Sequence, residues 1–104
     1  MRITRWDDEE MGPLSEEAAQ RRFHRSLYEV AIREVAESVR VSGDAPRRTL
    51  IGLSGAWLLE AEGQRALVKP GDVVEVASGK FTFETSGPVR YLAVYPLPPD
   101  RVVN

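Results

Sequence analysis

The second half of the chain alternates between short apolar runs and turn residues. From residue 49 to residue 95, each run is separated from the next by glycine or proline. None of these runs is long enough to show the periodicity of an amphipathic helix. Short strands at this regular spacing are typical of an antiparallel sandwich or barrel. The pattern predicts five or six strands, at Thr49–Leu53, Ala56–Leu59, Ala66–Val68, Val73–Val76, Phe81–Thr85 and Val89–Tyr95.

The residues between the runs predict the turns. Gly63 and Gly79 suit corners that need a positive φ, and Pro70-Gly71 suits a type II turn. Leu97-Pro98-Pro99 is expected to end the last strand, because proline has no N–H to continue a ladder.

The first part of the chain has a different pattern. The acidic run Asp7–Glu10 is expected to be a solvated loop. Ser15 is a good N-cap, acidic residues follow it and arginines come later, which predicts a helix from Glu16 to about Arg25. From Leu27 to Val41 the apolar positions fit either a helical stripe or strands. The β-branched content favours strands interrupted near residues 34–37.

This pattern predicts an all-β chain with a short N-terminal helix, divided into an arm and helix (1–26) and a barrel (27–104). The 104 residues carry a net charge of −2, one histidine and no cysteine. Disulfides, zinc–thiolate sites and two-histidine metal sites within one chain are therefore excluded. Without a basic excess, a long apolar span or a signal-type start, we expect a cytoplasmic protein with neither nucleic acid nor membrane as partner.

Three groups of residues carry a family resemblance. The first is Leu53-Ser54-Gly55, the second is Pro70-Gly71-Asp72, and the third is Gly79 with Ala77 two residues before it. In this order they resemble the cupins, small β-barrels of the jelly-roll type, although Ala77 stands where proline is usual. The strand Tyr91–Tyr95 resembles the one that follows in that family. The resemblance covers residues 39 to 96 and implies a cupin-like jelly-roll barrel.

The resemblance also implies where a metal would bind. Metal-binding cupins use two histidines and a glutamate from the first motif and a histidine from the second. Counting along the motifs places Arg48 at the glutamate and Thr82, or Phe81 with a shift of one residue, at the last histidine. The two remaining histidine positions fall within residues 41–44, which contain none. We therefore expect no metal and no other cofactor.

The alternation of side chains disagrees with the motif spacing at the predicted strand Phe81–Thr85. Phe81 and Phe83 share one face, and Thr82 and Glu84 share the other. Exposing two phenylalanines is costly, so the alternation predicts that both phenylalanines point into the barrel.

The candidate ligand site follows from the arginines near the first motif. Arginine binds carboxylate or phosphate well, and aromatic side chains would add apolar contact. The sequence therefore predicts a metal-free binding module for a small anionic or sugar-like metabolite. The expected ligand-binding residues are Arg48, Arg40, Trp57, Thr82 and Tyr91, with Arg47 and Tyr95 nearby.

Three alternatives remain open from the sequence. The arginines could line a solvated edge and pair with Glu60, Glu62 or Glu75. The protein could be a metal-independent isomerase or lyase, or a structural oligomerisation module. For an enzyme, the candidate proton carriers are Glu60, Glu84, Tyr91 and Tyr95. His24 lies in the predicted helix and is expected to be a surface or helix-packing residue.

The apolar residues of the N-terminal arm need cover. The arm carries Ile3, Trp6, Leu14 and Phe23, and residues 2–6 are short enough to add to a sheet edge. Uncovered edges promote association between chains. We therefore expect a homodimer built partly by this arm, the alternative being an arm folded across its own barrel.

Overall fold

Nine strands and two short helices make up residues 1–98, the part of the chain that this computed structural model describes. The helices are α1 (Asp8–Met11) and α2 (Glu16–Arg22). The strands are β1 (Arg2–Arg5), β2 (Tyr28–Val35), β3 (Val39–Ala45), β4 (Arg48–Ser54), β5 (Trp57–Ala61), β6 (Gln64–Val68), β7 (Asp72–Val76), β8 (Gly79–Thr85) and β9 (Val89–Pro96).

The strands form two antiparallel sheets. The first sheet has the order β1-β7-β4-β9-β2, and the second has the order β3-β8-β5-β6. Six strands follow residue 48, and the break between β2 and β3 falls at residues 36–38. The all-β prediction is thus confirmed, with six strands in the second half and an interruption beside the predicted position.

The two sheets face each other, and we call the surface that each directs at the other its inner face. Alternate residues along each strand reach this face, as the period-2 geometry requires. The buried inner-face cluster takes side chains from both sheets, and its members include Leu50, Trp57, Leu59, Val68, Val74, Phe83, Val89 and Ala93. Phe83 is buried and Phe81 packs against the same cluster, so the inward direction of both phenylalanines is confirmed.

The outer face of the first sheet is covered by the N-terminal arm. Ala19 and Phe23 pack against Ile51, Leu92 and Val94, which alternate with the inner-face positions of β4 and β9. The strand β1 pairs with β7 of its own chain, from Arg2 opposite Glu75 to Arg5 opposite Asp72. The arm therefore covers an edge and a face of its own sheet. The homodimer stays a prediction.

Two details of the arm differ from the sequence prediction. The acidic run is not a loop: it forms α1, because the Asp7 carboxylate accepts the backbone N–H groups of Glu9 and Glu10, both at 3.1 Å. The helix α2 begins at Glu16 as expected but ends at Arg22 rather than near Arg25. It ends there because Phe23 leaves the helical conformation, and its ring then packs edge-on against Tyr28 at 5.2 Å between centroids.

The predicted turns are present. Gly63 and Gly79 have positive φ angles of 72° and 144°. Gly71 has a φ of 87°, and the Asp72 N–H donates to the Lys69 carbonyl at 3.0 Å across the turn. The last strand ends at Pro96, while Pro99 and the residues after it lie outside the described residues. Neither helix among residues 1–98 is long and apolar enough to cross a membrane.

Candidate functional site

Three aromatic rings meet between the sheets. Trp57 begins β5, Phe83 lies on β8 and Tyr91 lies on β9, so the rings come from both inner faces. The ring centroids are 5.1 Å apart for Trp57–Tyr91 and 5.5 Å apart for Trp57–Phe83 and Phe83–Tyr91. Such offset and tilted aromatic pairs stabilise a core by more than the burial of their surface alone would. The interior is therefore filled by rings over this part of its length.

Arg48 lies on the same inner face, at the start of β4. The residue is only 5% exposed, and its guanidinium carbon lies 5.0 Å from the centroid of the Phe81 ring. Its one hydrogen bond among the described residues runs from Nη1 to the Pro46 carbonyl, at 3.2 Å. No carboxylate of residues 1–98 forms an ion pair with it. A buried guanidinium without an anion is costly, because the desolvation of its charge is not offset.

The electrostatics of Arg48 and the nearby tyrosines are coupled. Burial lowers the pKa of Arg48, while the charges of Tyr95 and Tyr91 act in the opposite direction. Burial raises the pKa of Tyr91 and Tyr95 adds to this, whereas Arg33 and Arg48 oppose it. Arginine remains protonated near neutral pH. The inner face therefore holds a fixed positive charge beside the neutral Tyr91 hydroxyl.

A second polar group on this face lacks a partner. The Nε1 of Trp57 is buried and has no hydrogen-bond partner among the described residues, and the whole residue is 1% exposed. A buried indole N–H usually donates to an acceptor. The Arg48 guanidinium has no anionic partner among residues 1–98, and the Trp57 indole N–H has no hydrogen-bond partner there. Both groups are donors. Arg48 packs on Phe81, and Trp57 is four residues further along the second sheet.

The edges of the inner faces are exposed along one side. β2 and β3 are edge strands of different sheets and do not pair with each other. Val41 on β3 lies opposite Phe83 and so points to the inner face, yet it is 49% exposed. On the other side Arg33 of β2 lies opposite Tyr91 and is exposed. We call this gap, bordered by Arg33 and Val41, the β2–β3 opening.

The structure brings together three of the five predicted ligand-binding residues. Arg48, Trp57 and Tyr91 are on the inner faces. Arg40 and Thr82 are on the outer face of the second sheet, since Arg40 lies opposite Glu84 and the Thr82 hydroxyl lies 3.1 Å from that of Ser42. The motif count that placed Thr82 inside is therefore wrong, because the alternation of β8 turns that position outward.

The predicted pairing of the arginines with glutamates is also wrong. Glu60 pairs with Arg65 at 3.3 Å, Glu62 with the N-terminal amine at 2.9 Å, and Glu75 with Arg2 at 3.6 Å. Arg47 is exposed in the turn before β4.

The candidate proton carriers of an enzyme are divided between two surfaces. Glu60 and Glu84 are exposed on the outer face of the second sheet, whereas Tyr91 and Tyr95 lie on the inner face of the first. The tyrosines therefore have neither glutamate as a partner for acid–base catalysis.

The donor set does not fit the metal that cupins often bind. Within residues 1–98, no three His, Cys, Asp or Glu side chains are close enough to hold a metal ion. Arg48, at the glutamate position, would repel a cation, and Thr82 faces outward. His24 is exposed after α2, where its Nδ1 accepts the Ser26 N–H at 3.1 Å. It lies outside the inner faces, so it supplies no ligand there.

A wide surface depression lies beside Phe81, the ring that packs against Arg48. It has a volume of about 940 Å³ at one end of the second sheet, and charged side chains of both signs line it, among them Glu60 and Lys80. Thr82 contributes to it, but Arg48, Trp57 and Tyr91 do not. Because its charges are mixed and partly paired, it offers weaker anion recognition than the inner-face donors.

Two residues of the β2–β3 opening were missed from the sequence. Arg33 and Val41 fall in the stretch 27–41, for which the β-branched content favoured strands. The alternation from Ala31 to Val35 places Arg33 on the face opposite Ile32. Which residue of the neighbouring strand it meets depends on the ladder register, for which the sequence holds no signal.

Comparison of the sequence with known proteins gives no match: no protein-family model and no curated protein matches the chain. The fold does have relatives among solved structures. A cupin superfamily protein from Desulfitobacterium hafniense is similar, with a TM-score of 0.60 and 15% identity, over 69% of each chain.

Two further structures are also similar. The Cupin_2 domain of an XRE family transcriptional regulator from Enterobacter cloacae has a TM-score of 0.60 and 15% identity, over 73% of this chain and 88% of that one. An ethanolamine utilization protein Q from Salmonella typhimurium has a TM-score of 0.59 and 18% identity, over 90% of this chain and 67% of that one. At these identities the similarity extends to the fold alone.

Proposed function

We propose that this chain, which has the cupin fold, is a metal-free module that binds a small organic anion between its sheets. The observation that carries the proposal is Arg48, a buried guanidinium on an inner face with no carboxylate partner among the described residues. A bound carboxylate or phosphate would supply the missing anion, and charge-assisted hydrogen bonds to arginine are among the strongest in proteins.

The surroundings of Arg48 define the rest of the ligand. Phe81 lies under the guanidinium, and Tyr91 contacts Trp57 at 5.1 Å. These rings favour an apolar or planar ligand body. The Trp57 Nε1, which has no partner in the described part of the chain, is a further donor on the inner faces. A neutral sugar would leave the guanidinium uncompensated. The charge therefore favours the anionic class over the sugar-like one.

Binding without catalysis agrees with the position of the two candidate glutamates. Glu60 and Glu84, the glutamates considered as proton carriers, lie on an outer face away from Tyr91 and Tyr95. An anion beside Arg48 would meet donors and aromatic rings, but neither of those glutamates as a base. A cytoplasmic location, as expected from the sequence, would give such a module access to small metabolites.

The test uses benzoate as the anionic compound and benzamide as its neutral counterpart, measured by titration calorimetry at pH 7.4. Benzoate is expected to bind more tightly than benzamide. Arg48→Gln should weaken benzoate binding about ten- to a hundred-fold, since a lost charge-assisted hydrogen bond costs about 1.5–3 kcal/mol. Arg65→Gln removes the same charge from an exposed position paired with Glu60 and should leave the affinity unchanged.

Circular dichroism and thermal unfolding would establish that each variant is folded. Equal benzoate affinity in wild type and Arg48→Gln would overturn the proposal. So would a wild-type protein that binds benzoate no better than benzamide.

A further inference from the structure

We infer that the ligand is a dianion whose second acidic group binds Arg33 at the β2–β3 opening. This inference rests on the proposed function, because it takes Arg48 as the partner of the first acidic group. It adds a ligand class, molecules with two separated negative groups, and a residue that determines specificity.

Arg33 is placed by the ladder. It lies opposite Tyr91 in the β2–β9 pairing, and opposite residues in such a pair extend from the same face of the sheet. Tyr91 belongs to the inner face, so Arg33 does too. Its sequence neighbour Glu34 lies on the other face, where it pairs with Arg90 at 3.1 Å. No ion pair of Arg33 occurs within residues 1–98.

The two guanidiniums lie on either side of one strand. In the first sheet β9 is flanked by β4, which carries Arg48, and by β2, which carries Arg33. The positive charge of each acts on the Tyr91 hydroxyl and opposes the rise that burial causes in its pKa. Arg48 is level with Tyr95 on β9, whereas Arg33 is level with Tyr91. Their backbone positions are therefore about 10 Å apart across the strands and about 13 Å apart along them, too far for one carboxylate to bind both arginines in a bidentate manner. A ligand with two separated acidic groups can reach both.

The two arginines differ in exposure. Arg48 is buried, while Arg33 is exposed at the border of the opening and faces the exposed Val41 across it. An entering anion would therefore meet Arg33 first and Arg48 deeper inside. Between them the ligand body would contact Tyr91, whose ring packs on Trp57.

One acidic residue limits the number of negative groups. Glu29 lies opposite Tyr95 on β9 and is exposed, so it faces the end of the site that contains Arg48. Its negative charge disfavours a third acidic group at that end. The two arginines together match a charge of −2.

The test compares isophthalate with benzoate, which differ by one carboxylate on the same ring, by titration calorimetry at pH 7.4. Wild type should bind isophthalate at least about ten-fold more tightly, the effect of one additional charge-assisted hydrogen bond. Arg33→Gln should remove this preference, so that the ratio of isophthalate affinity to benzoate affinity falls to about one. Glutarate and butyrate repeat the comparison with a flexible body.

The control is Arg90→Gln, which removes an arginine from the opposite face of the same sheet and should leave the preference intact. A wild-type protein with no preference for the diacid in either pair would overturn the inference, as would a preference that Arg33→Gln does not reduce. These results are distinguishable from failure of the proposed function, which is measured by benzoate binding to Arg48→Gln. If neither benzoate nor isophthalate binds wild type, both proposals fail.

Discussion

One carboxylate fixes the turn between β6 and β7. Asp72 Oδ2 accepts the backbone N–H of Lys69 at 2.9 Å, and its Oδ1 accepts Arg5 Nη1 at 2.8 Å. The same Arg5 nitrogen donates to the Pro70 carbonyl at 3.0 Å. Burial alone would raise the pKa of Asp72, but the hydrogen bonds from Arg5 and Lys69 and the charges of both residues give a net lowering. The carboxylate therefore connects β1, the turn and β7.

The lowered pKa of Asp72 sets the pH dependence of its contribution. Because the folded pKa lies below the unfolded value of about 3.9, this stabilisation is present above about pH 4 and is lost as the pH falls through the folded pKa. Asp72→Asn should lower the free energy of unfolding by about 1.5–3 kcal/mol at pH 7. The difference from wild type should shrink in acid, as urea denaturation at pH 7 and at pH 3 would measure.

The matched control is Glu75→Gln on the same strand. Its carboxylate is half-exposed and 3.6 Å from Arg2, so its loss should change the free energy of unfolding by less than about 0.5 kcal/mol. A difference between Asp72→Asn and wild type that stays constant with pH would contradict the assigned role of the carboxylate.

Still at the residue scale, the sequence predicted the sheet face of some residues correctly and that of others incorrectly. The alternation correctly predicted Phe81 and Phe83 inside, because burial of two rings dominates the choice of face. Arg40 and Thr82 were assigned by their position in motifs. Motif spacing aligns residues along the chain, but a loop that differs by one residue reverses the face of every position after it.

At the scale of elements, the two edges of the second sheet differ in cover. β3 and β6 are its edge strands, and each carries an inward-facing valine. Val41 on β3 is 49% exposed, whereas Val68 on β6 is fully buried opposite Trp57. The inner face is thus covered at β6 and partly exposed at the β2–β3 opening.

This difference predicts the effect of one isosteric substitution at both edges. Threonine keeps the β-branched shape of valine, so strand propensity changes little. Val68→Thr buries a hydroxyl and should cost about 1–3 kcal/mol in the free energy of unfolding. Val41→Thr should stay within about 0.5 kcal/mol of wild type, because its hydroxyl can bind water. Equal costs in urea denaturation would mean that the β2–β3 opening is closed in solution.

The strands were easier to predict than the arm. Glycine and proline mark the ends of the strands after Arg48, so the apolar runs between them are unambiguous. Residues 2–5 hold a single apolar side chain, Ile3, and become a strand through the free edge of β7. Such tertiary pairing leaves no local pattern in the sequence. Asp7 is a recognisable N-cap residue in the sequence. A helix of four residues is nevertheless too short to show a hydrophobic periodicity, so α1 was not predicted.

At the scale of the whole molecule, the two faces of the first sheet have different roles. Its outer face packs against α2 through an apolar cluster, which holds β4 and β9 in place. Its inner face presents Arg48, Tyr91 and Arg33 to the space between the sheets. Because β1 and α2 cover this sheet within one chain, a homodimer, if formed through the arm, would have to use surfaces that remain exposed. Substitutions in the inner face should therefore alter ligand binding without displacing the arm.

The central claim, an anion site between the sheets, is tested most directly by the indole N–H resonances. The chain has two tryptophans. Trp57 Nε1, on the inner face, has no hydrogen-bond partner within residues 1–98, and Trp6 Nε1 donates to the Gly12 carbonyl at 2.9 Å in the arm. In ¹⁵N-labelled protein titrated with benzoate, the Trp57 resonance should shift saturably while that of Trp6 stays fixed. In Arg48→Gln, the same shift should need about ten-fold or more benzoate. A Trp57 resonance that does not move, or that moves equally in both proteins, would contradict the claim.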